Sequence, residues 1–172
     1  LDDADPDDLD DLDADTSDTV HDTGLVAVRG PNLFSGYWPD GSGGPDAEGW
    51  FRTADVGFLD ADGDLHLVDR SSDVVIVSGF NVYPREVEQV LLELPEVAEA
   101  AVVGLPDDRT GEQVRAVLVR APGAELTDDV VRAHCVVRLA RFKVPAAIEF
   151  VDQLPRTPTG KIARRLLAEQ RS

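Results

Sequence analysis

Asp69-Arg70-Ser71-Ser72-Asp73-Val74-Val75-Ile76-Val77-Ser78-Gly79-Phe80-Asn81-Val82-Tyr83-Pro84-Arg85-Glu86-Val87-Glu88 sets two periodicities back to back. Val74 to Val77 is a β-branched apolar run, the composition of a buried strand. Ser78-Gly79 ends it, because glycine adopts backbone angles that other residues resist. From Pro84 onward the apolar residues fall at Val87, Val90, Leu91 and Leu94, the spacing of one helix face. Pro84 suits the first helical turn, where its missing N–H has no bond to lose. A polar joint (Arg70 to Asp73), a strand, a glycine corner and a helix thus follow as one compact unit.

Downstream, Ala98 to Val103 and Val114 to Arg120 are strand-like, with Leu105 to Gly111 as the loop between them. Thr127, followed by two aspartates, predicts a helix N-terminus, and Val130, Val131, His134, Val137 and Leu139 follow on it. Ile148 to Val151 is a last short strand, Pro155 to Gly160 a loop, and Ile162 to Glu169 a closing helix. Strand-helix-strand-strand-helix-strand-helix over 74–169 predicts a small α+β domain.

Upstream the chain changes character. Leu25 to Arg29 is a short strand stopped by Gly30-Pro31, and the glycines and prolines of 36–49 predict a loop. Trp50 to Thr53 and Val56 to Leu59 read as two strands around a turn at Asp55. Asp60-Ala61-Asp62-Gly63-Asp64 is a hairpin turn leading to a returning strand at Leu65, Leu67 and Val68. Residues 1–22 hold 11 aspartates and no Lys or Arg. Self-repulsion and scarce apolar surface predict a disordered acidic segment over 1–23. A calcium loop fits poorly, since its glycine at position six and glutamate at position twelve are missing.

The 172 residues carry a net charge of −18. Outside the acidic start, 23 acidic residues face 16 basic ones, an ordinary surface. That balance argues against nucleic acid as a partner, because phosphate backbones demand a basic footprint. No apolar run predicts a membrane span and no signal peptide is apparent. Cys135 is the single cysteine, so no disulfide forms within the chain, and a cytoplasmic location is the simplest expectation. The chain starts at Leu1, which suggests a piece of something longer. His21, His66 and His134 have neither metal nor triad spacing, and Cys135 sits in an apolar helical stretch as core.

Three side chains could carry chemistry. Lys161 is one of two lysines against fourteen arginines, and it stands where a flexible loop meets the predicted helix. A cation there mildly opposes the helix dipole. A compact ammonium on a long stem suits two anions that must be brought together, though a solvated surface lysine explains the position equally. Asp55 could accept hydrogen bonds from vicinal hydroxyls, or simply cap its own turn. Arg70 could be a surface charge.

Four motifs in order narrow these readings. Asp69-Arg70-x-x-Asp73, the apolar run and Ser78-Gly79-Phe80-Asn81-Val82-Tyr83-Pro84-x-Glu86-Val87-Glu88 resemble the hinge motif of the adenylate-forming, or AMP-binding, enzymes. Within them the wording is nearest to the fatty-acyl-CoA ligases. Pro155-x-Thr157-x-x-Gly160-Lys161-Ile162-x-Arg164-Arg165 resembles their C-terminal motif, and Thr53-Ala54-Asp55 their Thr-Gly-Asp, with Ala54 in the glycine's place. Gly30 to Trp38 resembles the segment leading into that turn. The resemblance covers 24–172 and implies a β-rich end of the N-terminal adenylation domain (24–69) and a mobile C-terminal domain (70–172). It implies a catalytic role for Lys161 in adenylation, and Asp55 and Arg70 on the ribose of ATP or AMP. Ser72 takes the hinge position, and Gly79 lies beside the pantetheine tunnel of coenzyme A. The implied whole enzyme converts a fatty or other carboxylic acid, with ATP, Mg2+ and CoA, to acyl-CoA, AMP and pyrophosphate. Its phosphate loop and acyl pocket would lie in the N-terminal domain absent from this chain, so the chain alone is expected to be inactive. Transfer of the acyl group to a carrier protein, and a stand-alone binding module without catalysis, stay open as alternatives.

Overall fold

The computed structural model describes residues 23–169. The expected disorder of the acidic start, and His21 with it, lies outside these residues. Two sheets make up the rest. The first runs β1 (Gly24–Val28), β2 (Phe51–Leu59), β3 (Leu65–Arg70), all antiparallel. The Asp-Gly turn joins β2 to β3 as expected. Asp60 Oδ1 accepts from the Asp62 and Asp64 N–H groups at 3.0 and 2.9 Å, which pre-forms the corner.

The second sheet is built on β7 (Gly111–Arg120). Along one side lies β6 (Val97–Asp107), antiparallel, from Val97↔Arg120 to Asp107↔Gly111. Along the other lie β8 (Ala147–Val151), parallel, and β4 (Val75–Val77), which meets β7 at Val77↔Gly111. β5 (Phe80–Val82) pairs antiparallel with β4. The predicted glycine corner is therefore a two-residue hairpin turn. Ser78 at φ 52° and Gly79 at φ 85° both lie in the left-handed region, as the hairpin turn that suits twisted strands requires.

β6 and β7 are buried on both faces, and their alternation decides what covers each. Ala100, Val102, Ala116 and Leu118 face the larger core. That core is closed by Val87 and Leu91 of α1 (Pro84–Leu92) and by Val131 and Cys135 of α2 (Asp128–Val136). Ala101, Val103 and Val117 face the other way, onto Leu154 and Leu167. Leu167 belongs to α3 (Arg164–Glu169). The α+β architecture is thus helices on both faces of one mixed sheet, joined to a three-stranded sheet.

Asp69 of β3 ties the two units together. Its Oδ2 accepts from the backbone N–H of Arg85, in the first turn of α1, at 3.0 Å. Thr23 Oγ1 and Tyr83 Oη form a second link at 2.9 Å.

Candidate functional site

Asp55 is not in a turn between two strands. β2 is continuous through it, and Asp55 stands opposite Arg70 in the β2–β3 ladder. Facing residues on one side of an antiparallel pair touch. Here Arg70 Nε lies 3.0 Å from Asp55 Oδ1. The two line a cleft of about 300 Å³ with Asp69, Asp73, Arg85 and Arg164. A half-buried carboxylate beside an exposed guanidinium can offer acceptors and donors to a polyhydroxylated ligand.

The residue before Asp55 is strained. Ala54 has φ 63°, a left-handed conformation that costs an L-residue about 1–2 kcal/mol. It aims the Ala54 carbonyl at the joint, where it accepts from the Ser71 N–H at 2.9 Å and from Ser71 Oγ at 3.1 Å. The conformation gives a physical reason for a glycine at this position. Ala54→Gly is expected to stabilise the protein by about 0.5–1 kcal/mol, the relief of strain being partly offset by a freer unfolded chain. Urea unfolding checks it, and a lowered midpoint would contradict it.

The joint follows directly. The Asp73 N–H donates to the Arg70 carbonyl at 3.0 Å, closing a turn over 70–73. Ser72 is exposed, and its hydroxyl donates to Asp73 Oδ1 at 2.9 Å. Arg70, Ser71 and Ser72 of this turn are exposed and Asp73 is half-buried.

Gly79 and Lys161 stand outside the Asp55 cleft. Gly79 is exposed, with open space where a Cβ would project. Its neighbours Ser78 and Phe80 line a second cleft of about 460 Å³ with Thr110 and Phe142, and Phe80 stacks on Phe142 at 4.7 Å between centroids.

Lys161 precedes α3 by three residues, so it sits outside the helix rather than at its start, and the expected conflict with the helix dipole does not arise. It closes a tight loop bridged by Arg156 and Ile162. Its carbonyl accepts from the Thr157 N–H at 2.7 Å, and its own N–H donates to Thr157 Oγ1 at 3.2 Å. The backbone is fixed while the side chain is exposed. Among the described residues no carboxylate pairs with its ammonium. The other lysine differs: Lys143 Nζ is held by Glu86 Oε1 at 2.5 Å.

Sequence reasoning missed a cluster between these parts. Glu88 is 8% exposed and accepts from the Val102 N–H at 2.9 Å. Both its oxygens take Arg164 Nη2, at 2.8 and 2.7 Å. Arg164 Nη1 lies 3.7 Å from Asp73 Oδ2. Burial pushes the Glu88 carboxyl up from its ordinary value, and the Arg164 guanidinium and the Val102 N–H oppose that shift. The available signal was an acid on the apolar face of α1, four residues after Pro84 and three before Leu91.

Among the described residues no group of three or more His, Cys, Asp or Glu could hold a metal ion. No helix among them is long and apolar enough to cross a membrane.

Residues 86–161 match the C-terminal domain of the AMP-binding enzymes. The chain belongs to this adenylate-forming class and corresponds to its C-terminal part. It is 48% identical over 155 residues to a 3-[(3aS,4S,7aS)-7a-methyl-1,5-dioxo-octahydro-1H-inden-4-yl]propanoyl:CoA ligase of Rhodococcus jostii, covering 88% of this chain and 30% of that protein. It is 41% identical over 154 residues to the long-chain-fatty-acid–CoA ligase FadD13 of Mycobacterium tuberculosis, with the same coverage. The chain therefore spans about 30% of the length of the relatives it matches. Among solved structures, ATP-bound MatB of Rhodopseudomonas palustris superimposes with a TM-score of 0.81 at 40% identity, covering 86% of this chain and 30% of that one. Apo MatB, over the same shares of the two chains and at 41% identity, gives 0.64.

Proposed function

We propose that this chain is the joint and moving lobe of an ATP-dependent acyl-CoA synthetase acting on fatty acids. Residues 24–69 close its N-terminal domain and residues 70–172 form the lobe. The observation that carries the reading is the pair of MatB scores, 0.81 with ATP bound and 0.64 without, over the same share of this chain. One rigid body would fit both alike. The difference supports two units whose mutual arrangement changes, with the turn at 70–73, exposed at Ser71 and Ser72, and Ser72 as the pivot between them.

The geometry suits two half-reactions. Asp55 and Arg70 hold the ribose of ATP. A carboxylate oxygen of the acid attacks the α-phosphorus, the bond to pyrophosphate breaks, and acyl-AMP forms. Carboxylate and phosphate repel, and the unpaired Lys161 ammonium neutralises charge on both in the transition state. The lobe then turns about 70–73, withdrawing Lys161 and presenting Gly79. Without a side chain there, the thin pantetheine arm of CoA passes, and its thiol attacks the acyl carbon and expels AMP. One site serving two steps is the physical reason for a joint. Mg2+ enters with ATP on its phosphates.

Several features support the N-terminal domain of the whole enzyme as this chain's partner. Leu25, Leu59, Leu65 and Leu67 of the three-stranded sheet are exposed, and Trp38 is 92% exposed. Such apolar surface suits cover by another domain. A cytoplasmic setting accords with the unpaired, buried Cys135.

The test offers the full-length protein Mg-ATP and a fatty acid, with either CoA or an acyl-carrier protein. The expected products are acyl-CoA, AMP and pyrophosphate in equal amounts, and none from this chain alone. Acyl-AMP that is discharged only by the carrier protein would overturn the CoA reading.

A further inference from the structure

We infer that Arg164 is a positioning residue for adenylation, fixing the Lys161 loop to α1 through Glu88 and to the joint through Asp73. This rests on the role of Lys161 proposed above. α3 has six residues, too few to hold a helix without tertiary contacts. It is pinned at both ends. At the far end Leu167 is buried at 2% exposure, and its carbonyl accepts from Arg115 Nη1 at 3.0 Å. At the near end Arg164 is the charged anchor of α3, three residues from Lys161, while Arg156 holds the loop itself, donating to the Gly160 carbonyl at 2.9 Å and pairing with Glu99.

That anchor is unusual chemistry for a mere tether. Glu88 is buried and Arg164 half-buried, and Arg164 Nε is itself buried with no hydrogen-bond partner. Burying polar groups unsatisfied is unfavourable, and an apolar pair would hold a helix as well. What an apolar pair lacks is a second charged contact, and Arg164 makes one with Asp73 in the turn at 70–73. The contact to Glu88 lies within the lobe and moves with it. The contact to Asp73 reaches the segment about which the lobe turns. Arg164 thereby links where the loop sits to how the joint is set, and it also lines the Asp55 cleft.

The test uses the full-length enzyme with Arg164→Met, Arg164→Lys or Glu88→Gln, reading two half-reactions separately. One is pyrophosphate release from ATP and fatty acid. The other is consumption of supplied acyl-AMP by CoA. Arg164→Met and Glu88→Gln are expected to slow the first about ten- to a hundredfold, as displacement of a reacting group does. The second should lose at least about tenfold less than the first, and Arg164→Lys should recover part of the first. In the Lys161→Ala background, Arg164→Met should add nothing. Equal losses in both half-reactions, or none in either, would overturn the inference. If Arg164→Met does not fold, Glu88→Gln and Arg164→Lys decide the matter by the same criterion. Lys161→Ala alone separates the two layers. If it leaves pyrophosphate release intact, the reading of Lys161 fails. If it abolishes release while the Arg164 and Glu88 variants do not slow it, only the positioning role fails.

Discussion

Leu91→Ala will destabilise the protein by about 2–5 kcal/mol, while Leu92→Ala, one residue on, will change stability by less than about 0.5 kcal/mol. Both leucines are on α1, and both changes carry the same small propensity effect. Leu91 has no exposed surface and packs in the core with Val87, Val102 and Leu118. Leu92 points away and is 49% exposed. Truncating the first leaves a cavity in close-packed surroundings, and truncating the second leaves only solvent. The loss at Leu91 is a large part of the roughly 5–15 kcal/mol that holds a typical domain together. Denaturant midpoints of the two variants check the contrast. Equal losses would mean that α1 is rotated from the position described.

α1 was legible because three cues agreed: Pro84 at the first turn, apolar spacing, and no breaker before Glu93. β5 was not legible. Phe80-Asn81-Val82 alone is too short to show a period, and the turn before it depends on Ser78 taking a left-handed conformation, which a serine in a sequence does not announce. The hairpin of β6 and β7 was read too short. Leu105-Pro106-Asp107 looked like loop because proline donates no ladder hydrogen bond, but β6 is an edge strand, where that absence is tolerated. The three-stranded sheet came out in outline, and the break assigned at Asp55 is instead the local strain at Ala54 within one strand.

For the candidate site, single residues could be picked out in the sequence while their grouping could not. Asp55 and Arg70 are fifteen apart in the chain and meet only through ladder register. The partnership of Glu88 and Arg164 spans 76 residues and joins elements on opposite faces of the sheet, a relation carried by no local pattern. Lys161 stood out from rarity and neighbours, and the structure adds a rigid loop beneath a side chain that no carboxylate among the described residues holds.

In the proposed mechanism this ammonium serves the first half-reaction alone. If Lys161 acts as proposed, Lys161→Ala removes a charge set against two anions, and loss of such a preorganised electrostatic contact costs about a hundred- to a thousandfold in rate. The lysine is exposed and makes no ion pair among the described residues, so stability should be unchanged within about 0.5 kcal/mol. In the proposed mechanism the thiol step proceeds after the lobe has turned, with Lys161 withdrawn. The direct measurement is therefore single-turnover kinetics of the full-length Lys161→Ala enzyme, with acyl-AMP formation and acyl-AMP consumption by CoA followed in separate experiments. Formation should fall about a hundred- to a thousandfold, and consumption should stay within about twofold of the parent. Formation at the parent rate, or a matching fall in consumption, would contradict the mechanism.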